Sequence, residues 1–136
     1  MIVSDVIEDL RESLAETPGA TAWRVGVATY VDAPGGDIDV MYIGSCHTDP
    51  DNEFLLVPEG MGAAFDLAEG PISAGQLLET LEERADWAEF PAYVRSEVVE
   101  LPDGSRVCRN MPLWGTGIHH DAELVYFYYG ATQPRR

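Results

Sequence analysis

The densest group of potential proton-transfer residues is His119, His120 and Asp121, close to the C-terminus. A histidine held by a carboxylate can act as a general base, and loops beside central strands often carry active sites. This cluster supports one hypothesis, a hydrolase or lyase that depends on a histidine or a metal. No GxSxG motif accompanies it, and the preceding segment 115–117 lacks the glycine pattern and the lysine of a phosphate-binding loop. The sequence therefore favours a polar loop that leads into a strand.

Two cysteines and three histidines provide enough ligands for a tetrahedral zinc site. They are Cys46, His47, Cys108, His119 and His120. Their spacing contains no CxxC or HxxxH pair, and alternation along a strand sends Cys46 and His47 to opposite faces. Cys46 shares the parity of the apolar residues that precede it, Tyr42 among them, which favours a buried thiol. We therefore predict reduced cysteines, no metal and no cofactor.

One polar segment has the composition of a cation-binding loop. Asp49-Pro50-Asp51-Asn52-Glu53 combines three carboxylates with an amide, the hard oxygen ligands that Ca²⁺ and Mg²⁺ accept. The match to a calcium-binding loop is poor, because the required glycine is missing and the twelfth position is Gly60. A solvated turn is the favoured interpretation of this segment.

Charge is the strongest compositional signal in these 136 residues. There are 24 Asp and Glu against eight basic residues, all of them arginine, and the net charge is −16. Nucleic-acid-binding proteins need a basic surface, and anionic membranes attract basic segments, so both are excluded as direct partners. No apolar run is long enough to span a membrane, and the acidic N-terminal segment is unlike a signal peptide. We therefore expect a cytoplasmic protein.

The acids are unevenly distributed, because no basic residue occurs between Arg24 and Arg84, an interval with twelve carboxylates. Complementary charge accelerates association with a basic surface. We predict a small, non-enzymatic interaction protein that covers a basic site on another protein, as an inhibitor, an immunity protein or a DNA mimic does. A phage-encoded inhibitor is one option within this class. The residues expected to bind this partner are Asp37, Asp39, Asp49, Asp51 and Glu53, with Tyr42 and Phe54 as aromatic anchors.

The same acidity has an alternative explanation in the environment of the protein. A halophile cytoplasm selects acid-rich surfaces with arginine in place of lysine, and molar salt reduces the screening length to ~3 Å, which removes most of the repulsion. A high-GC genome also depletes lysine, although it does not explain the acids. Under this hypothesis the chain is an accessory or structural domain whose charge is environmental.

Four consecutive aromatic residues, Tyr126 to Tyr129, occupy the last apolar segment. Their side chains cannot all point into one layer, because successive residues of a strand face opposite ways. Most large aromatic residues of a small domain belong to its core, but some of these rings must reach a second face or a partner. A homodimer through this region is therefore one option.

Hydrophobic periodicity indicates the elements that position these residues. Spacings of three and four predict a helix over 3–14, capped by Ser4 or Asp5. A capping box at Ser73 and Gln76 begins a second helix, which ends before Pro91. Alternation predicts strands over 23–31, 38–46, 54–57, 93–101, 106–113 and 124–129. The last strand is apolar at both parities and belongs near the centre of a sheet.

The resulting order, α-β-β-β-α-β-β-β, predicts an α+β fold in a single domain over residues 1–136. We expect a mostly antiparallel sheet of five to six strands with both helices packed on one face. The tail, residues 131–136, is expected to be flexible. The order also consists of two αβββ halves of similar length, although no residue-level repeat accompanies them.

Overall fold

Helices and strands follow one another along the chain in the predicted order. The computed structural model describes residues 1–31, 38–60, 72–130 and 133–134. The helices are α1 (Val3–Glu16) and α2 (Ala74–Glu82), and the strands are β1 (Arg24–Val31), β2 (Ile38–Thr48), β3 (Phe54–Pro58), β4 (Ala92–Glu100), β5 (Arg106–His119), β6 (Leu124–Tyr129) and the short β7 (Gln133–Pro134). The α+β class is confirmed.

The sheet is mixed and closes into a barrel, which corrects the expectation of a mostly antiparallel open sheet. Neighbouring strands follow the order β2-β3-β4-β5-β6-β1, and β1 also pairs with β2. Within each αβββ half the strands form an antiparallel meander. The halves meet at two parallel pairs, β3–β4 and β1–β6. Alternation could not predict these pairs, because neither is joined by a local turn: α2 lies in the connection from β3 to β4, and β1 and β6 are separated by four other strands.

Both helices and all six barrel strands contribute to one main hydrophobic core. Its buried members include Val6 and Leu10 of α1, Leu77 and Leu81 of α2, and Val25, Ile43, Phe54, Val94, Leu113 and Phe127 of the strands. A second, smaller cluster is formed by Ala28, Leu124 and Tyr126. β6 contributes alternate residues to the two clusters, so the prediction that this strand is covered on both faces is confirmed.

The helices are attached to the barrel where β1 and β4 begin. Backbone N–H groups donate to carbonyl oxygens at 2.9–3.1 Å from Val3 to Phe90, Ala92 to Met1, Ala74 to Trp23 and Val25 to Ile72. The first two bonds join α1 to β4, and the other two join α2 to β1. We call α1, α2 and their flanking segments, residues 1–22 and 72–91, the helical end.

The predicted side-chain cap is present at the start of α2, whereas the prediction that Ser4 or Asp5 caps α1 is wrong, because Ile2 is the N-cap of α1 and both predicted residues lie inside the helix. The Ser73 hydroxyl accepts from the Gln76 N–H at 3.1 Å, and the Gln76 side-chain oxygen accepts from the Ser73 N–H at 3.0 Å. Asp5 accepts the N–H of Ile2, the residue that precedes α1, at 2.9 Å. α2 ends at Glu82 and a 3-10 turn, Ala85–Trp87, follows it, which places Trp87 against Phe54.

β5 is longer than predicted and includes Gly115 and Gly117, which the sequence suggested as a loop. On β6, Gly115 pairs with Tyr128 and Gly117 with Tyr126. A Cβ atom on Gly117 would lie 2.5 Å from Cζ of Tyr126, so the absent side chain makes room for the ring. Glycine in a strand often marks such a close approach. These glycines are strand residues beneath tyrosines.

A shift in register between Ile43 and Ser45 interrupts the alternation of β2. An extra residue in one strand of a pair reverses the face to which the following side chains point. Ile43, before the shift, belongs to the main core, and Cys46, three residues later, packs against the same core. The prediction that Cys46 lies on the face of Tyr42 is therefore wrong, although its burial near apolar residues was expected.

Two residues of the C-terminal segment form a short strand. Gln133 and Pro134 form β7 and pair in parallel with Tyr30 and Val31 of β1. The other residues of 131–136, and residues 32–37 between β1 and β2, lie outside the described residues. Within the described ranges, no helix has both the length and the apolar character needed to cross a bilayer.

Candidate functional site

The described acids of the predicted partner-binding set do not form one patch. Asp39 lies near the start of β2, whereas Asp49, Asp51 and Glu53 lie in the turn after its end. Because a strand rises about 3.3 Å per residue, Asp39 and Asp49 are separated by roughly 30 Å. Asp37 lies outside the described residues. The predicted set therefore divides between the two ends of the barrel.

The turn between β2 and β3 is organised by its own carboxylate. The Asp49 Oδ1 atom accepts the N–H groups of Asp51 at 3.0 Å and Glu53 at 2.9 Å, and Asn52 adopts a positive φ of 60°. Partial desolvation, a hydrogen bond to Asp49 and the charges of Asp49 and Asp51 raise the pKa of Glu53. Asp49 thus stabilises a tight turn, the interpretation that the sequence favoured over a cation-binding loop.

The two predicted aromatic anchors lie in different environments. Tyr42 is 37% exposed, and the Arg24 guanidinium lies 4.1 Å from its ring centroid while also pairing with Glu59. Phe54 is fully buried and packs against Trp87 with ring centroids 5.9 Å apart. The expectation that Phe54 anchors a partner is wrong, because its ring belongs to the core of the folded chain.

A polar cleft of about 410 Å³ separates the second half of α1 from the end of β5. Its lining residues are Asp9, Glu12, Ser13, Glu16, Thr17, Thr116, Gly117, Ile118 and His120. Three of them are carboxylates, and none is lysine or arginine. The Thr116 hydroxyl donates to the Asp9 Oδ2 atom at 3.3 Å, which connects the two walls. We call this region the acidic cleft.

Helical spacing brings the three carboxylates of the acidic cleft onto one stripe of α1. Asp9, Glu12 and Glu16 are three and four residues apart and extend over about 10 Å of the helix axis. Like charges at these spacings destabilise a helix by about 0.2–0.5 kcal/mol per pair. The arginine of α1, Arg11, lies instead beside α2, with its guanidinium 3.5 Å from the Glu82 carboxylate. The stripe thus has an electrostatic cost that a bound cation would relieve.

The histidine cluster lies beside the acidic cleft, at the β5–β6 turn. His119 ends β5, and its Nδ1 atom accepts the N–H of Ala122 at 3.1 Å. His120 lines the cleft and packs edge-on against Trp23, with ring centroids 5.7 Å apart. Asp121 is exposed in the same turn. His119 therefore has a structural role in closing the turn, and His120 is the member of the cluster that reaches the cleft.

The potential zinc ligands are distributed over separate parts of the barrel. Cys46 lies on β2 and packs on the core, and burial raises the pKa of its thiol from an ordinary 9.0 to about 11. His47 follows it on β2, and Cys108 is on β5 with a side chain outside the described set. Among the described residues, no three His, Cys, Asp or Glu side chains converge as metal ligands would.

The aromatic segment proposed for a homodimer is occupied by contacts within the chain. Tyr126, Phe127 and Tyr129 are each at most 8% exposed, and Tyr126 and Tyr128 share a hydroxyl contact of 3.2 Å. Burial and that contact raise the pKa of Tyr126. The barrel accounts for this burial, because β6 lies between β5 and β1 and its two faces supply two clusters of one chain; the homodimer through this segment stays a prediction.

Sequence reasoning missed the acidic cleft, although the necessary signal was present. The polar side of the first helix contains Asp9, Glu12 and Glu16 at helical spacing, but a solvated helix face has the same pattern. Only the position of β5 distinguishes a cleft wall from an ordinary exposed face.

A scan against protein-family models and searches of curated proteins and of solved structures find no match to this chain.

Proposed function

We propose that this protein acts by binding a basic surface of another protein, and that the acidic cleft at the helical end makes the central contact. One observation carries the proposal: Asp9, Glu12 and Glu16 line one cleft wall, and none of the described residues that line the cleft is an arginine or a lysine. The acid-dependent binding inferred from composition is retained, but its proposed location moves from the interval between Arg24 and Arg84 to α1.

The surroundings of the cleft strengthen its negative potential. Residues 1–22 and 72–91, the helical end, contain ten carboxylates and two arginines. Both of these arginines contact carboxylates of the chain, Arg11 with Glu82 and Arg84 with Asp86, at 3.5 Å each. A potential of one sign over a concave surface concentrates ligands of the opposite sign and raises their association rate.

Arginine side chains are the partner groups that fit this wall best. A guanidinium donates two parallel hydrogen bonds to a carboxylate and is more weakly hydrated than an ammonium group, so less water must be removed on binding. Carboxylates about 5 Å apart along a helix axis allow several guanidinium groups to bind side by side. An inhibitor or immunity protein that covers a basic catalytic or nucleic-acid-binding surface would use such an arrangement.

The proposal is tested by neutralising the stripe without changing its shape. The triple variant Asp9→Asn/Glu12→Gln/Glu16→Gln is mixed with a labelled arginine-rich peptide in a stopped-flow experiment at several NaCl concentrations. We expect the association rate to fall about tenfold at low salt, because steering contributes roughly 10- to 1000-fold. The difference should shrink as the Debye length decreases towards ~8 Å at physiological ionic strength.

A matched control removes the same number of charges elsewhere at the helical end. Glu79, Glu83 and Glu89 are exposed and do not line the cleft. The variant Glu79→Gln/Glu83→Gln/Glu89→Gln should keep most of the association rate. If both triple variants slow association equally, net charge alone is responsible and the cleft is not the binding site.

The environmental alternative makes an opposite prediction for stability. Thermal unfolding is measured in KCl from dilute buffer to several molar. A cooperative fold in dilute buffer supports a functional acidic surface, whereas collapse at low salt with recovery at high salt supports adaptation to a saline cytoplasm. The proposed function would lose its charge argument in the second case.

A further inference from the structure

β4 and β5 continue past the barrel as a two-stranded arm. β4 pairs with β3 only across Ala92–Val94, and β5 pairs with β6 only from Leu113 onward. Between these limits the hairpin pairs with itself, from Arg95 opposite Asn110 to Glu100 opposite Arg106, and the described residues provide no other neighbouring strand. We call residues 95–110 the arm.

The arm exposes apolar side chains at the end remote from the helices. Val99, Leu101 and Val107 are 40%, 39% and 50% exposed. Val99 and Val107 are directly opposite each other in the register, and Leu101 is two residues beyond Val99, at the same parity. An isolated two-stranded hairpin is only marginally stable in water. Covering this apolar group would therefore stabilise the arm.

Charge distinguishes the arm from the rest of the chain. It contains three carboxylates and three arginines, whereas the whole chain has a net charge of −16. In the backbone register, Glu97 pairs with Arg109 and Glu100 with Arg106. Two copies that approach through their helical ends repel each other, because both surfaces are negative. At the arm this repulsion is smaller, because its three carboxylates and three arginines balance.

We infer that the arm is a self-association surface, at which two copies pack Val99, Leu101 and Val107 against the same residues of the other. A two-fold arrangement makes one patch serve both subunits and leaves the helical ends pointing apart. Three side chains cover far less than the ~800 Å² per partner of a standard interface. The dimer is accordingly weak and depends on concentration, and the acidic clefts stay accessible in it.

Sedimentation velocity of the full chain, from micromolar to near-millimolar concentration, tests the inference. The double variant Val99→Thr/Val107→Thr keeps side-chain shape, charge and strand preference but removes apolar surface. We expect its dimer dissociation constant to rise at least about tenfold, since each substitution replaces a buried methyl group by a hydroxyl group in both subunits. Circular dichroism verifies that the fold is unchanged.

A control variant and the effect of NaCl test whether the arm is the self-association surface. Trp114, 67% exposed on the barrel part of β5, is the control for general stickiness, and Trp114→Ser should leave the dimer intact. A dimer lost in Trp114→Ser but retained in the double valine variant would overturn the inference, as would a monomer at all concentrations. Added NaCl should not dissociate the dimer. Dissociation by salt would instead indicate arginines of one arm in the acidic cleft of another copy, and would also overturn it.

Discussion

The helical end and the arm are opposite kinds of surface on one barrel. The helical end presents a polar cleft with three carboxylates on one wall, and its ten carboxylates greatly outnumber its two arginines. The arm has balanced charges and exposes Val99, Leu101 and Val107. Long-range attraction of a cationic partner suits the first surface, and short-range apolar contact suits the second. A strongly acidic protein thus retains one region where it can meet another acidic chain.

β5 shows how a single strand can serve both regions. Its C-terminal half, from Leu113 onward, pairs with β6 in the barrel, where Gly117 accommodates the ring of Tyr126. Its N-terminal half pairs with β4 alone, and Val107 there is half exposed. The barrel half is constrained by packing, so substitutions should disturb stability. The side chains of the arm half are exposed to solvent, so we expect substitutions there to change self-association rather than stability.

The largest contrast should come from truncating one apolar side chain in each region. Phe54→Ala empties a fully buried position in contact with Trp87, and we expect it to lower the free energy of unfolding by about 3–5 kcal/mol. Val107→Ala should cost less than about 1 kcal/mol, because half of the side chain is already in water. Urea denaturation measures both. Similar losses for the two variants would show that the arm is as tightly packed as the barrel.

The contrast between barrel and arm was only partly predictable from the sequence. Alternation of apolar residues predicted six strands, and the capping box at Ser73 and Gln76 predicted the start of α2, because both signals are local. Barrel closure and the parallel pairs depend on contacts between distant segments. The bulge that reorients Cys46 is likewise invisible in a pattern that assumes unbroken alternation.

Two glycines in the C-terminal half of β5 test how closely this half packs against β6. Gly117→Ala would place Cβ 2.5 Å from Cζ of Tyr126, and we expect a loss of about 1–3 kcal/mol as the buried ring is displaced. Gly115→Ala is the matched control, because its nearest neighbour, Tyr128, would be at an ordinary 3.9 Å. That variant should be neutral or slightly stabilising, since alanine restricts the unfolded chain. Equal losses in guanidinium denaturation would contradict the close packing at Gly117.

The candidate site was less predictable than the fold because charge carries no positional information by itself. Asp49 and Asp39 are close in sequence yet at opposite ends of β2, and Asp49 is engaged by the backbone of its own turn. Asp9 and His120 are remote in sequence yet line the same cleft. Tertiary structure, rather than the density of acids along the chain, decides which carboxylates can act together.

The reactivity of the Cys46 thiol reports on how well the barrel core excludes solvent. Burial raises its pKa to about 11, so the thiol stays protonated in the folded state and reacts slowly at neutral pH. In a Cys108→Ser background, alkylation by iodoacetamide should accelerate only as the pH approaches 11. The folded pKa lies above the unfolded one, so this group stabilises the fold below pH 9 and loses that contribution between pH 9 and 11. Fast alkylation at pH 8 would place Cys46 at the surface.

The smallest effect is expected at the tip of the arm, where Asp103 organises the turn. Its Oδ1 atom accepts from the Ser105 hydroxyl at 2.6 Å and the Ser105 N–H at 2.9 Å, and these bonds lower the pKa of Asp103 below its usual 3.8. The folded pKa lies below the unfolded one, so the contribution of the carboxylate is present above pH 3.8 and is lost as the pH falls through the lowered value. An NMR titration should show the Ser105 amide signal shifting with that midpoint, and Asp103→Asn should abolish the transition.

Because the turn is exposed and remote from the core, the change should remain local to the arm while the barrel stays folded. Simultaneous loss of barrel signals would mean that the arm and the barrel unfold as one unit, and the division between the two regions would then be wrong.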